Sequence, residues 1–312
     1  MRQGARIGGA LAALTLAGCV TTPVAMAPRM APPPNRPDQV IAVPETPASA
    51  AARAYYAQVQ QSLLSQGLLR TDGGGPDTPF TDRMLADNFI RIALYDEYTR
   101  SPGAPIQQEA ASRLRRWEVP VRVGLRFGAS VSATQKATDK ARIASYVARL
   151  ARITGHSIRM DEASPNFLIY MVSEDERRAM GNTLAADLPG LSPAEVGAIT
   201  GLPRSTYCLV YAMSPGTSYA YTRAVAVVRA EHPDLLRLSC IHEEVAQGLG
   251  LANDSPAARP SIFNDDEEFA LLTVQDELML KILYSPGLRT GMTEAEARPV
   301  VQSLAARLTG GS

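Results

Sequence analysis

Histidine is scarce in this chain. There are three in 312 residues, His156, His232 and His242, and no two stand at the spacing of paired metal ligands. A zinc site needs imidazole, thiolate or carboxylate donors brought together, so this scarcity argues against a conventional zinc peptidase. An excess of one charge is lacking too, because 31 basic and 31 acidic residues cancel. Without a basic surplus there is no electrostatic footprint for nucleic acid. Long apolar runs are missing, and the stretch Ile7 to Leu16 is too short to span a bilayer. The glycine run Gly73-Gly74-Gly75 is not followed by the Lys and Ser or Thr of a phosphate-binding loop. With 46% apolar and 20% charged residues, the composition is that of a globular protein with a sizeable core.

What is present begins with a leader. Arg2 and Arg6 precede the short apolar run, which ends in Leu16-Ala17-Gly18-Cys19. That ending looks like a bacterial lipobox. The resemblance implies removal of residues 1–18 and acylation of Cys19, with membrane lipid as a partner. Several acyl chains anchor stably where one binds marginally. Val20 follows the cysteine, which by the usual sorting pattern implies the periplasmic side of the bacterial outer membrane. Residues 19–50 then form a Pro/Ala-rich tether, with 8 of the 23 prolines between 20 and 50. Such a segment extends and buries too little apolar surface to fold alone.

Two cysteines remain, Cys208 and Cys240. In an oxidising compartment an even count invites a bridge, worth about 3 to 4 kcal/mol in the chain-entropy model. Two buried thiols are the other reading.

Residues 51–116 read as a small helical region. Helices are expected over Ala51–Leu69, from a Thr81 or Asp82 cap to Tyr98, and again up to Arg116. Residues 117–312 read as a second domain. Val119, Val121, Val123, Leu125 and Phe127 alternate as a strand. Ala133 to Thr154 is a helix stopped by Gly155. Ser157–Met160, Asn166–Val172 and Ala220–Ala230 are strands, and residues 173–205 are punctuated into short helices. Thr293 to Leu308 closes the chain as a helix with the capping box Thr293-x-x-Glu296.

The helix around His242 carries the chemistry. His242-Glu243 begins the zinc-protease motif H-E-x-x-H, but Ala246 stands where the second histidine belongs. Shifted by one residue, the longer spacing H-E-x-x-H-x-x-G-x-x-H falls on Glu243, Glu244, Gln247, Gly250 and Asn253. The general-base acid is kept as Glu244 and the glycine as Gly250, while Glu243, Gln247 and Asn253 replace the ligands. Helical periodicity puts Leu235, Leu238, Ile241, Val245 and Leu249 on one apolar face, with His242 inside it as a packed core histidine. By periodicity alone Glu243, Glu244 and Gln247 form a solvated face.

Downstream, Ser261-Ile262-Phe263 and Leu272-Thr273-Val274-Gln275-Asp276 stand where metzincins carry their methionine turn and next helix. The stretch therefore resembles a metzincin active-site helix stripped of its zinc ligands. That likeness implies an α+β fold, a zincin-like mixed sheet with an active-site-type helix. It implies convergence of Glu243, Gln247 and Asn253 beside Glu244, with Phe263 beneath and no metal or other cofactor. Glu-Glu-x-x-Gln-x-Leu-Gly-Leu-x-Asn-Asp-Ser from Glu243, Arg259-Pro-Ser-Ile-Phe-Asn-Asp and Leu68-Leu-Arg-Thr-Asp-Gly-Gly also resemble a family of proteobacterial lipoproteins, domain of unknown function 2927. The functional expectation is a binding or structural envelope protein whose partner is another envelope protein, a peptide or a glycan. The alternative is a hydrolase using Glu244 with an oxygen-ligated metal or none.

Overall fold

Phe167 to Val172 is apolar at every position, and all six residues are buried. A strand covered on both faces belongs inside a parallel sheet, and the fold is built outward from this one. The computed structural model describes residues 45–99, 106–264 and 266–311, all within the unit Ala42–Ser312. The expected leader, Cys19 and the expected tether up to residue 44 lie outside the described residues.

The elements in chain order are α1 (Pro47–Ser65), α2 (Asp82–Ala93), β1 (Tyr95–Thr99), β2 (Ile106–Ala111), β3 (Arg116–Trp117), β4 (Val121–Phe127), α3 (Ala133–Thr154), β5 (Ile158–Met160) and β6 (Phe167–Val172). Then follow α4 (Glu174–Ala179), α5 (Gly181–Asp187), α6 (Pro193–Thr200), β7 (Cys208–Met213), β8 (Ala220–Tyr221), β9 (Arg223–Arg229), α7 (Asp234–Leu249), α8 (Val274–Leu283) and α9 (Glu294–Thr309). Five strands form one sheet in the order β5-β4-β6-β9-β7. Four are parallel, and β7 runs antiparallel along one edge. The protein is α+β with a mixed sheet.

The strand alternation sorts the core. Phe167, Ile169 and Met171 join Ala224, Ala226 and Val228 against α3 and α7, which contribute Ile143, Val147, Leu150, Ile241 and Val245. Leu168, Tyr170, Val172, Val225 and Val227 face the other way, onto Met180, Leu184, Leu188 and Ile199 of the α4–α6 segment. Helix ends follow local chemistry. Thr81 caps α2 by accepting from Met84 N–H, Thr293 and Glu296 form their capping box, and Gly155 ends α3 at φ 66°. Among the described residues no helix is long and apolar enough to cross a membrane.

Three local expectations are corrected. The second helix stops at Ala93, not Tyr98, and the segment expected as a helix up to Arg116 contains β2, paired antiparallel with β1. Tyr95-Asp-Glu-Tyr-Thr is rich in strand-favouring residues, and pairing with β1 overrides the helical propensity of Gln107-Gln-Glu-Ala-Ala. The region 51–116 is therefore not helical throughout. The first helix starts earlier than expected, because Thr46 caps it and Pro47 fits its first turn.

Helix α7 approaches the sheet closely at Gly248. A Cβ placed on Gly248 would lie 2.4 Å from Phe167 Cζ and 3.2 Å from Val210 Cγ2. Phe167 is fully buried and has nowhere to retreat. Gly248→Ala is therefore expected to cost about 1–3 kcal/mol through overpacking. Gly197→Ala, in α6 with nothing within 4 Å of the new methyl, is expected to be neutral or stabilising by about 0.5–1 kcal/mol. Guanidinium unfolding midpoints of the two variants check this.

Candidate functional site

Helix α7 is fastened at several points. Near its start Arg237 Nε lies 2.9 Å from Asp139 Oδ2 of α3, with both side chains buried. In the middle Cys240 is joined by a disulfide to Cys208 of β7, with Cα atoms 5.9 Å apart. Near its end Trp117 Nε1 donates to Gly248 O at 2.8 Å. Cys240, Glu244 and Gly248 recur every four residues and share a face. Cys240 is bonded to β7 and Gly248 touches β7 at Val210, so Glu244 sits along the α7–β7 seam. It is 4% exposed, which removes it from the solvated face expected from periodicity. Glu243 is half-buried, and Gln247 is buried.

The amides at the remaining positions have structural partners. Gln247 Nε2 donates to Asp254 Oδ1 at 3.0 Å. Asn253 Nδ2 donates to Arg91 O at 3.0 Å, and its backbone N–H donates to Ile92 O. Those carbonyls belong to the last turn of α2, which has no intrahelical donors left for them. Asn253 thus terminates α2. Gln247 and Asn253 are engaged with different partners, and Asp254, which spacing did not single out, is the group that Gln247 meets. In the sequence it stood out only as the Asp of the Asn-Asp-Ser motif.

The turn after α7 is organised by a second carboxylate. Asp276 accepts from Ser261 Oγ at 2.6 Å, Ile262 N–H at 3.1 Å, and the N–H and Oγ1 of Thr273 at 2.8 Å each. Burial pushes this carboxyl up while the four donors pull it down. The Ser261-Ile262-Phe263 turn and the helix opening Thr273-x-x-Asp276 thereby form one unit, with Phe263 fully buried.

His242 faces the core. Its ring stacks on Tyr146 of α3 with centroids 3.9 Å apart, and Nδ1 accepts from Leu272 N–H at 3.1 Å. An accepting Nδ1 means the neutral ring carries its proton on Nε2. Burial, reinforced by Arg149, lowers its pKa to about 3. His232, just ahead of α7, is only 1% exposed, packed against Tyr56 of α1 with centroids 4.4 Å apart. Burial first, then Arg229 and Arg237, lower its pKa as well. His156 hydrogen-bonds Val119 O at 2.9 Å.

A further charged cluster lies at the ends of β6 and β9. Glu174 bridges Arg177 and Arg229, whose guanidinium groups donate to backbone oxygens at Ile199, Thr200, Leu202, Pro203 and Thr206. These charges brace the segment leading into β7. Among the described residues no three His, Cys, Asp or Glu side chains form a group able to hold a metal ion.

A mixed sheet, a disulfide-fastened helix with an acid in its seam, and amides used for tying define a class of α+β scaffold. The chain belongs to the family described as protein of unknown function (DUF2927), whose model matches residues 82–303. Helix α1 precedes the matched residues. No curated protein and no solved structure matches the chain.

The neutral burial of His242 has a sign that can be tested. Its folded pKa of about 3 lies below the unfolded value of about 6.5. As pH falls between those values the unfolded chain takes up a proton that the folded chain refuses, so stability drops. From pH 7.5 to 5.0 this group alone should remove about 2 kcal/mol. His242→Gln keeps an acceptor for Leu272 N–H and does not titrate. It should be less stable at pH 7.5, yet lose about 2 kcal/mol less than the wild type on acidification. Urea unfolding of both proteins at the two pH values checks this.

Proposed function

We propose that this protein is a lipid-anchored lipoprotein of the bacterial cell envelope, held by acylated Cys19 on the periplasmic side of the outer membrane. Its zincin-like domain binds an envelope protein, peptide or glycan, or braces the envelope, without turnover. The order of strand, long helix and two strands ahead of α7, within a mixed sheet, supports the zincin likeness. The lipobox supports the anchor.

The observation that carries the reading is the use made of the ligand positions. Zinc chemistry needs neutral nitrogen, thiolate or carboxylate donors around one open site. Here Gln247 is tied to Asp254 and Asn253 to α2, and amide oxygens are weak zinc donors. The residues present do not fit zinc. The hydrolase alternative asks Glu244 to act as a general base, which requires reach to a substrate proton. Its burial in the α7–β7 seam speaks against that.

The anchor is tested by mass spectrometry of the protein purified from native membranes. The expected N-terminal peptide begins at an acylated Cys19, and Cys19→Ala should shift the protein out of the membrane fraction. An unmodified N-terminus that begins elsewhere contradicts the proposal. The absence of turnover is tested with unfolded casein. Wild type and Glu244→Gln should be equally inert, and cleavage that disappears in Glu244→Gln would overturn this half of the reading.

A further inference from the structure

The chain leaves the two central strands in opposite directions. After β4 it passes to α3, on the face that carries α7. After β6 it passes to α4, on the other face. A crevice outside the carboxyl ends of adjacent parallel strands, at such a reversal, is where open α/β sheets place ligands. The two loops that flank it are pinned together by one carboxylate. Glu176 accepts from Ser130 N–H at 2.9 Å and Ser130 Oγ at 2.8 Å on the β4 side, and from Ser173 N–H at 2.8 Å on the β6 side. Gly128 is required there, since a Cβ would fall 1.9 Å from Glu176 Oε2.

A cavity of about 410 Å³ occupies this position, lined by Arg126, Gly128, Tyr170, Val172, Met180, Thr183 and Asp187 among others. That is at the small end of the roughly 300–1,000 Å³ typical of ligand pockets. Its wall is apolar at Val172 and Met180, and opposite charges come from Arg126 and Asp187. Arg126 and Tyr170 are register partners on β4 and β6. Nη1 of Arg126 turns back to Leu125 O at 2.9 Å and Glu162 at 3.3 Å, which leaves the Nε–Nη2 edge that grips a carboxylate with two bonds. The Glu162 contact is half-exposed on both sides and weak. Tyr170 donates its hydroxyl to Asp187. Burial, followed by the Asp187 bond, keeps that phenol protonated, so it donates to Asp187 and orients that carboxylate at the cavity wall.

We propose that this switch-point cavity binds a small zwitterion, a free amino acid with an aliphatic side chain, its carboxylate on Arg126, its ammonium on Asp187 and Thr183, and its side chain on Val172 and Met180. The cavity lies on the α4–α6 side of the sheet, opposite α7, so it does not depend on the role of Glu244. A polyol needs no such pair of separated opposite charges, which favours the zwitterion over a sugar.

Calorimetry on the full chain tests this with L-leucine, L-leucinamide, which lacks the carboxylate, 4-methylpentanoate, which lacks the ammonium, and D-glucose. L-leucine is expected to bind, with the amide and the acid each at least about tenfold weaker. Arg126→Gln should weaken L-leucine about tenfold and leave L-leucinamide unchanged, while Asp187→Asn should weaken L-leucine and leave 4-methylpentanoate unchanged. The analogues discriminate on wild-type protein even if a variant folds poorly. No heat from L-leucine at millimolar concentration, equal affinity for the three leucine compounds, or binding of D-glucose alone would overturn the proposal.

Discussion

The contact between Gly248 and Phe167 is the constraint on which the rest of the structure depends. It lets α7 lie against the sheet at a distance that no other residue at position 248 permits without displacement. Trp117 then reaches Gly248 O, the Cys208–Cys240 disulfide spans the remaining gap to the antiparallel edge, and Arg237 locks the start of α7 to Asp139. With the helix this close, Glu244 is enclosed in the seam. Elsewhere on α7, His242 stacks on Tyr146 of α3, and its burial holds the imidazole neutral. Packing here determines electrostatics, because an enclosed site disfavours the charged imidazole far more than a surface does.

The second principle is the use of amides as ties. An amide side chain can both donate and accept, so it satisfies backbone groups that an imidazole holding a metal could not. Asn253 supplies two N–H donors to α2, one from its side chain and one from its backbone. Gln247 holds the start of the following turn through Asp254, and Asp276 gathers its far end. Each bond contributes about 0.5–1.5 kcal/mol, and leaving a buried partner unmet costs about 1–3 kcal/mol. A segment that in a metal centre would converge on one ion is here distributed over α2, the turn and α8.

Local patterns were legible in the sequence and long-range partners were not. The uninterrupted apolar run at Phe167–Val172, the capping box at Thr293 and the stop at Gly155 each rest on residues a few positions apart, and the structure places them as periodicity and capping chemistry predict. The strand at β2 was hidden because its sequence favours helix and only its pairing with β1 makes it a strand. The burial of Glu244 and Gln247 was hidden because their faces look polar in isolation. Asn253 could be assigned a position by spacing, but its partner lies 162 residues away at Arg91. The switch-point cavity had no sequence signal, since Arg126, Tyr170 and Asp187 come together only when the strand order is known.

The central claim is that Gln247 and Asn253, whose spacing resembles that of zinc ligands, serve as structural ties. The most direct measurement is thermal unfolding of the wild type and of Asn253→Asp, each with chelator and with added zinc. Asp is the better zinc donor, but it places a carboxylate against Arg91 O where an N–H stood. The account predicts a wild-type midpoint independent of zinc. It also predicts a variant weakened by about 1–3 kcal/mol that zinc does not rescue. A zinc-dependent rise in the wild-type midpoint, or recovery of the variant by zinc, would contradict it.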